Sequence, residues 1–433
     1  MTRRSACERL EEALARIDDP KGEGARACLT VYRERARIEA QAADARAKAG
    51  IGLGPLDGAI VSIKDLFDVA GEVTRAGSPV LAAEGAPAPQ DAPVVRRLRQ
   101  AGAVIVAKTN MTEFAFSGIG ANPHYGTPGN PADRKHAPGG SSSGGAVAAA
   151  DGMCEIAIGS DTGGSCRTPA AFCGIVGYKP SKQRIPTDGA FPLSNTLDSI
   201  GPMARTVERC AMADAVMAGE ARETLEPVAL PGLRIGIVQG MPLENLEEPV
   251  ARSFARAVEL LGKAGVRLSD ETIREFEDMN DVNAHGGGIT PAEAYAVHRD
   301  RLERRGDDID QNVRRRIERA RNVSAADYIT MIRRRGELVR AMDTRMADVD
   351  VLALPTSAVV APVLAELAAP DEFARRNAMS LRNTTPWNFF DCCAISLPLP
   401  CGSDLPTGLM LVARNGHDAR LFRIAAAVER LFA

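Results

Sequence analysis

The sequence predicts an α/β fold in which a single large mixed β-sheet core is covered by α-helices. Three observations carry that prediction. Short β-branched runs at 60–64 and 103–108 flank a helix-like stretch, 91–102, in a βαβ rhythm. A second succession of strand and helix opens at 233–238 and continues through helical spacing near 248–264. Two late apolar runs, 394–398 and 408–413, lie close enough along the chain to pair.

In chain order, residues 8–17 and 33–48 repeat apolar positions at helical spacing with charged faces, so 1–50 is read as an N-terminal helical segment. The run IVSIK then forms a strand ending at Lys64, and 80–91 (VLAAEGAPAPQD) reads as a loop. Residues 139–181 carry two serine clusters, Ser141-Ser142-Ser143 and Ser165, each beside paired glycines at a helix entry. The short strand Ile156-Ala157-Ile158 separates them. The best internal boundary, around 220–232, is weak, so residues 1–433 are read as one domain. Within it, 51–220 forms a motif-bearing core, and 221–433 a second α/β part completing sheet and pocket. Segment 291–347 is charged and helix-rich, 350–355 a strand, the stretch to about 371 a Pro/Ala-rich loop, and 418–432 a closing helix. The arginine runs near 315 and 333 fall in helical patterns and read as solvated faces.

Apolar residues make up 45% of the chain, enough for a substantial core. A net charge of −3 gives no electrostatic case for nucleic acid or an anionic membrane. The nine cysteines are an odd number without zinc-like CxxC pairs, which suits reduced thiols in a cytoplasmic protein. No apolar run approaches the ~20 residues of a membrane span, and the N-terminus lacks the apolar core of a signal peptide. The expectation is a protein with no metal or cofactor, acting on a small molecule, with a homodimer as the prior for quaternary structure.

Glycine lets a second backbone approach closely, and successive N–H groups in such loops point at developing negative charge. A serine in either cluster is therefore a candidate nucleophile with an oxyanion hole beside it. A Ser-His-Asp triad is the first arrangement to test, but none of His124, His136, His285, His298 and His417 lies in an apolar strand-end motif. No phosphate loop or HExxH is present. Lysine with serines remains. Only eight of the 53 basic residues are lysine, and Lys64 ends an apolar strand where burial lowers an amine's pKa. Bringing lysine near neutrality takes about 4–5 kcal/mol of differential destabilisation, within reach of a buried site. Asp65 follows directly but points to the opposite face and need not pair with it.

Three stretches together resemble the amidase signature family, serine hydrolases with a Ser-cisSer-Lys triad. They are GAIVSIKD ending at Asp65, PGGSSSGG at 138–145 and GSDTGGSCRTPAAFCGIVGYKPS at 159–181. Weaker similarity continues in DSIGPMART at 198–206 and AISLP at 394–398. The resemblance implies the family's fold, Lys64 as base, Ser165 as nucleophile, and Ser141, 24 positions earlier, as the bridging serine after a cis peptide. It also implies an oxyanion hole from the backbone of Thr162, Gly163 and Gly164. Ser142 and Ser143 read as hydrogen-bonding support, and Asp161 as an organiser of the loop. Arg167 either steadies the loop or binds an acidic substrate, while Trp387 packs in the core or lines the acyl pocket. Cys166 falls at a position that is variable and apolar in the family.

The activity implied is hydrolysis of a small carboxamide through an acyl-enzyme on Ser165. The alternative is the glutaminase (A-type) subunit of a tRNA-dependent amidotransferase. In that subunit N-x-D-E-F is common, whereas Asn110-Met111-Thr112-Glu113-Phe114 stands here, which favours the stand-alone reading. A third possibility, an inactive scaffold, conflicts with the presence of Lys64, Ser141 and Ser165 together. Aryl amides, short aliphatic amides, ureido acids and dicarboxylic monoamides all remain open as substrates.

Overall fold

Strand-forming runs that are apolar on both faces must be covered on both faces, and one sheet collects them. In the computed structural model, residues 4–220, 224–284, 287–400, 402 and 404–432 are described. The strands are β1 (Cys28–Val31), β2 (Ile60–Lys64), β3 (Val104–Thr109), β4 (Ile156–Asp161), β5 (Val176–Lys179) and β6 (Ser199–Ala204). They continue with β7 (Arg234–Val238), β8 (Arg267–Glu271), β9 (Val351–Pro355), β10 (Cys393–Leu399) and β11 (Thr407–Ala413). All of them join one mixed sheet in the order β1-β3-β2-β4-β6-β5-β10-β11-β9-β7-β8. β2 runs parallel to β3 and β4, and β7 parallel to β8 and β9. The remaining neighbours are antiparallel.

Every residue of β2, β3 and β4 is buried, as expected of parallel strands with helices on both faces. Strands from both sides of the 220–232 stretch share the ladder, because Ala394 of β10 pairs with Lys179 of β5. The expected late hairpin forms between β10 and β11 in unbroken register from Cys393–Ala413 to Leu399–Thr407.

Helices Ala6–Asp18, Arg33–Lys48, Pro93–Gln100, Glu248–Lys263 and Asp418–Phe432 cover the expected segments. The charged stretch 291–347 resolves into Ile289–Arg305, Gln311–Glu318 and Ala325–Arg345. The expected loop at 80–91 instead begins inside a helix, Pro79–Glu84. Ser78 Oγ accepts from the Val80 N–H, Pro79 supplies a helical φ at the first turn, and Val80 and Leu81 turn into the core. The Pro/Ala-rich loop likewise gives way to a helix at Pro370–Leu381. No described helix is long and apolar enough to cross a membrane. The eight described cysteines are free thiols, and Cys401 lies outside the described residues.

Because β2 and β4 are parallel neighbours, their carboxyl ends, Lys64 and Asp161, emerge at the same edge of the sheet. In open α/β sheets this edge is where ligands bind. The serine segment 141–143, entering helix Ser143–Ala150, and loop 162–166, entering helix Arg167–Cys173, meet there.

Candidate active site

Lys64 is fully buried, and its Nζ donates to Ser141 Oγ at 2.7 Å and to Ser160 Oγ at 2.9 Å. Burial pushes its pKa down to about 8, against smaller opposing contributions from Cys166, Asp161 and Asp198. Two further lysines are buried as deeply. Lys108 Nζ has no hydrogen-bond partner, and Lys179 Nζ donates to the Pro180 carbonyl at 2.7 Å. Lys64 differs from both in reaching serine hydroxyls. Asp65 turns away, as its alternation in the strand requires, and pairs with Arg75 at 3.0 Å.

The Gly140–Ser141 peptide is cis. The Ser142 N–H donates to the Ser165 carbonyl at 3.3 Å, which brings the two serine clusters side by side. Ser142 Oγ donates to the Ser160 carbonyl at 3.3 Å, a supporting bond as expected. Ser143 Oγ is buried without a hydrogen-bond partner, so no supporting bond is assigned to it.

Asp161 organises the loop. It accepts from the N–H of Gly164 at 2.8 Å and of Cys166 at 3.1 Å. Arg167 binds it through Nε at 3.0 Å and Nη2 at 2.9 Å. The guanidinium holds the Asp161 carboxyl well below the usual carboxylate range despite complete burial. Arg167 also donates to the Thr384 carbonyl at 3.0 Å and to Asn388 at 2.7 Å. All its nitrogens face protein, so it supports the loop and is not available to a substrate. The Gly164 N–H is already committed to Asp161, which removes Gly164 from the expected oxyanion donors. The N–H groups of Thr162, Gly163 and Ser165 have no such commitment among the described residues. Gly164 is nonetheless required: its φ is +134°, and a Cβ there would collide with Thr384 Oγ1. Thr162 donates its hydroxyl to Asp198 at 2.6 Å.

Ser165, Thr162 and Gly163 open onto a cavity of about 190 Å³, a size suited to a small substrate. Ser117, Asn283, Thr290, Arg316, Arg319 and Phe389 also line it. Trp387 does not: it is fully buried, edge-on to Phe276 with centroids 5.7 Å apart, and belongs to the core. The expectation that the arginine run near 315 is solvated fails for Arg316. That side chain is half-buried at the cavity, with its guanidinium 4.5 Å from the centroid of the Phe116 ring. Cys166, beside Ser165, is buried with its thiol pushed up to about 12, so it stays protonated. The four described histidines pair with Glu113, Asp133, Arg301 and Arg414, and none with a serine. His285 lies outside the described residues.

The family model for Amidase matches residues 8–422. The chain belongs to the amidase signature family. It is 36% identical over 405 residues to a 2-amino-5-chloromuconic acid deaminase of Comamonas testosteroni, covering 92% of this chain and 86% of that one. It is 34% identical over 468 residues to the A-type subunit of glutamyl-tRNA(Gln) amidotransferase from Anaeromyxobacter sp. (strain K), covering 98% and 93%. A crystal structure of an amidase superposes with a TM-score of 0.87 at 31% identity, covering 99% of this chain and 97% of the other. A peptide amidase bound to the competitive inhibitor chymostatin superposes at 0.82 with 26% identity, covering 99% and 94%. The chain is thus an amidase signature hydrolase built on that family's large mixed sheet.

Sequence reasoning missed Ser160, Asn388, Asp198 and Arg316. Ser160 follows the apolar run of the strand IAIGSD, directly before Asp161, and its polarity there was the available signal. Asn388 and Arg316 lie hundreds of residues from, or on a different helix to, the groups they join, and no local pattern marks them.

Proposed function

We propose that this protein hydrolyses the C–N bond of a small carboxamide, with Ser165 as nucleophile, Ser141 as relay and Lys64 as base. The observation that carries the proposal is the 2.7 Å contact from Lys64 Nζ to Ser141 Oγ by a lysine whose pKa is lowered to about 8. A lysine so shifted is partly neutral near pH 7, which a proton acceptor requires. Neutral Lys64 takes the Ser141 proton as Ser141 takes that of Ser165, and Ser165 Oγ attacks the amide carbonyl. The N–H groups of Thr162, Gly163 and Ser165 are the donors left to receive the developing oxyanion; one such donor is worth about 3–4 kcal/mol. The relay returns the proton to the leaving nitrogen, and ammonia or an amine departs. Water then attacks the acyl-enzyme by the same relay, releasing the carboxylate and restoring Ser165.

The second reading is the A-type component of an amidotransferase, favoured by the 34% identity to such a protein. The two are separated by ammonia release from purified chain given simple amides or glutamine alone. For the chemistry itself, a fluorophosphonate probe is expected to label wild type and not Ser165→Ala, with ammonia release lost in step, by about a thousand-fold or more. A folded wild type that neither labels nor turns over any amide class would sink the hydrolase mechanism.

A further inference from the structure

The cavity beside Ser165 carries two cations, Arg316 and Arg319, and no described Asp or Glu lines it. Arg167 pairs with Asp161 at 2.9 Å and Arg184 with Asp214 at 2.7 Å, whereas the half-buried Arg301 and Arg382 make no ion pair among the described residues. Arg316 has no acidic neighbour among the described residues, and its Nε is enclosed without a hydrogen-bond partner. Burial, and then the neighbouring Arg319, lower its pKa to about 10, so it remains a cation at neutral pH. A half-buried guanidinium with an enclosed Nε and no counter-ion is incompletely satisfied, and a bound carboxylate supplies a two-point, charge-assisted contact. Stacking on Phe116 explains the orientation of the plane but leaves the enclosed Nε–H without a partner. Holding the end of helix Gln311–Glu318 does not require a residue turned inward, since the exposed Arg315 serves that end equally.

We propose that Arg316, assisted by Arg319, anchors a substrate carboxylate, so that the enzyme acts on acid amides lacking an ammonium group beside that acid. The inference rests on the amide hydrolase reading above. An α-ammonium on the substrate would enter a site with two cations and, among the described residues, no carboxylate lining it, so glutamine is disfavoured while its deaminated isostere is not. Neutral amides fit but leave Arg316 unpaired.

The test compares malonamate, succinamate, glutaramate and adipamate with the neutral straight-chain amide of equal length, and glutaramate with glutamine. At least one acid amide is expected to exceed its neutral counterpart by about 10- to 100-fold in kcat/KM, the range of a charge-assisted contact. Glutaramate is expected to exceed glutamine by a similar factor. In Arg316→Gln the acid-to-neutral ratio is expected to fall toward unity, and Arg316→Lys to restore part of it. Thermal melts establish that both variants are folded. Equal or better turnover of the neutral amide at every chain length overturns the proposal, as does an unchanged ratio in folded Arg316→Gln or preferred turnover of glutamine. Calorimetric binding of the same compounds to Ser165→Ala reads the charge preference without turnover. Selective binding of acid amides by a protein that hydrolyses none of them would therefore reject the hydrolase reading, and with it turnover of acid amides, while upholding Arg316 as a carboxylate anchor.

Discussion

Lys64 is the residue on which chemistry and stability pull in opposite directions. Its lowered pKa reflects the cost of an ammonium in a dry site, and the same cost makes the neutral amine accessible near physiological pH. Wild-type kcat/KM is expected to rise with pH to a plateau above about 8, whereas Lys64→Ala keeps rising beyond it as hydroxide replaces the base, so that its deficit narrows at high pH. A pH-independent deficit in Lys64→Ala would count against the base assignment. The linkage sign follows from the direction of the shift. Between about 8 and the ordinary lysine value of 10.5 the unfolded chain holds a proton that the folded chain does not. Stability of wild type relative to Lys64→Met should therefore rise across that window, read as the urea midpoint at each pH. Lys64 was legible because an apolar strand ends on it. Arg316 was not, because a helical pattern with neighbouring arginines looks the same whether one of them turns inward or all face water.

At the scale of elements, the loop between β4 and helix Arg167–Cys173 is held by a buried set of charges and amides: Asp161, Arg167, Asn388 and the Thr384 carbonyl. It ties the nucleophile's loop to a segment more than two hundred positions later in the chain. Removing one member of a buried pair strands the other, at about 3–5 kcal/mol. Arg167→Met is therefore expected to lower the free energy of unfolding by that amount, read from the fall in the urea midpoint. Its residual activity should keep the wild-type ranking of acid over neutral amides, because Arg167 has no free donor for a substrate. A selective loss of acid amides in Arg167→Met would reverse the assignments of Arg167 and Arg316. The glycines of this loop were visible as a motif, whereas the commitment of the Gly164 N–H to Asp161 was not. Which amide in a glycine-rich turn stays free is decided by where a distant carboxylate packs.

For the whole molecule, the ladder joins β5 to β10, so neither side of the 220–232 stretch owns a complete sheet. Trp387, the single tryptophan, is buried in the later half and reports on it. Urea unfolding followed by tryptophan fluorescence and by far-ultraviolet circular dichroism is expected to give coincident transitions; separated midpoints would show two independently stable halves. Local pattern was sufficient for the strands of continuous apolar residues, the amphipathic helices, and the lysine and serines whose motifs are contiguous. Hydrophobic periodicity and glycine spacing are properties of neighbours in sequence, and those survive without coordinates. Strand order, the pairing of Arg167 with Asp161, the core position of Trp387 and the inward turn of Arg316 came only from the folded chain. Each depends on what packs opposite, and burial, unlike periodicity, is set by residues far away along the sequence.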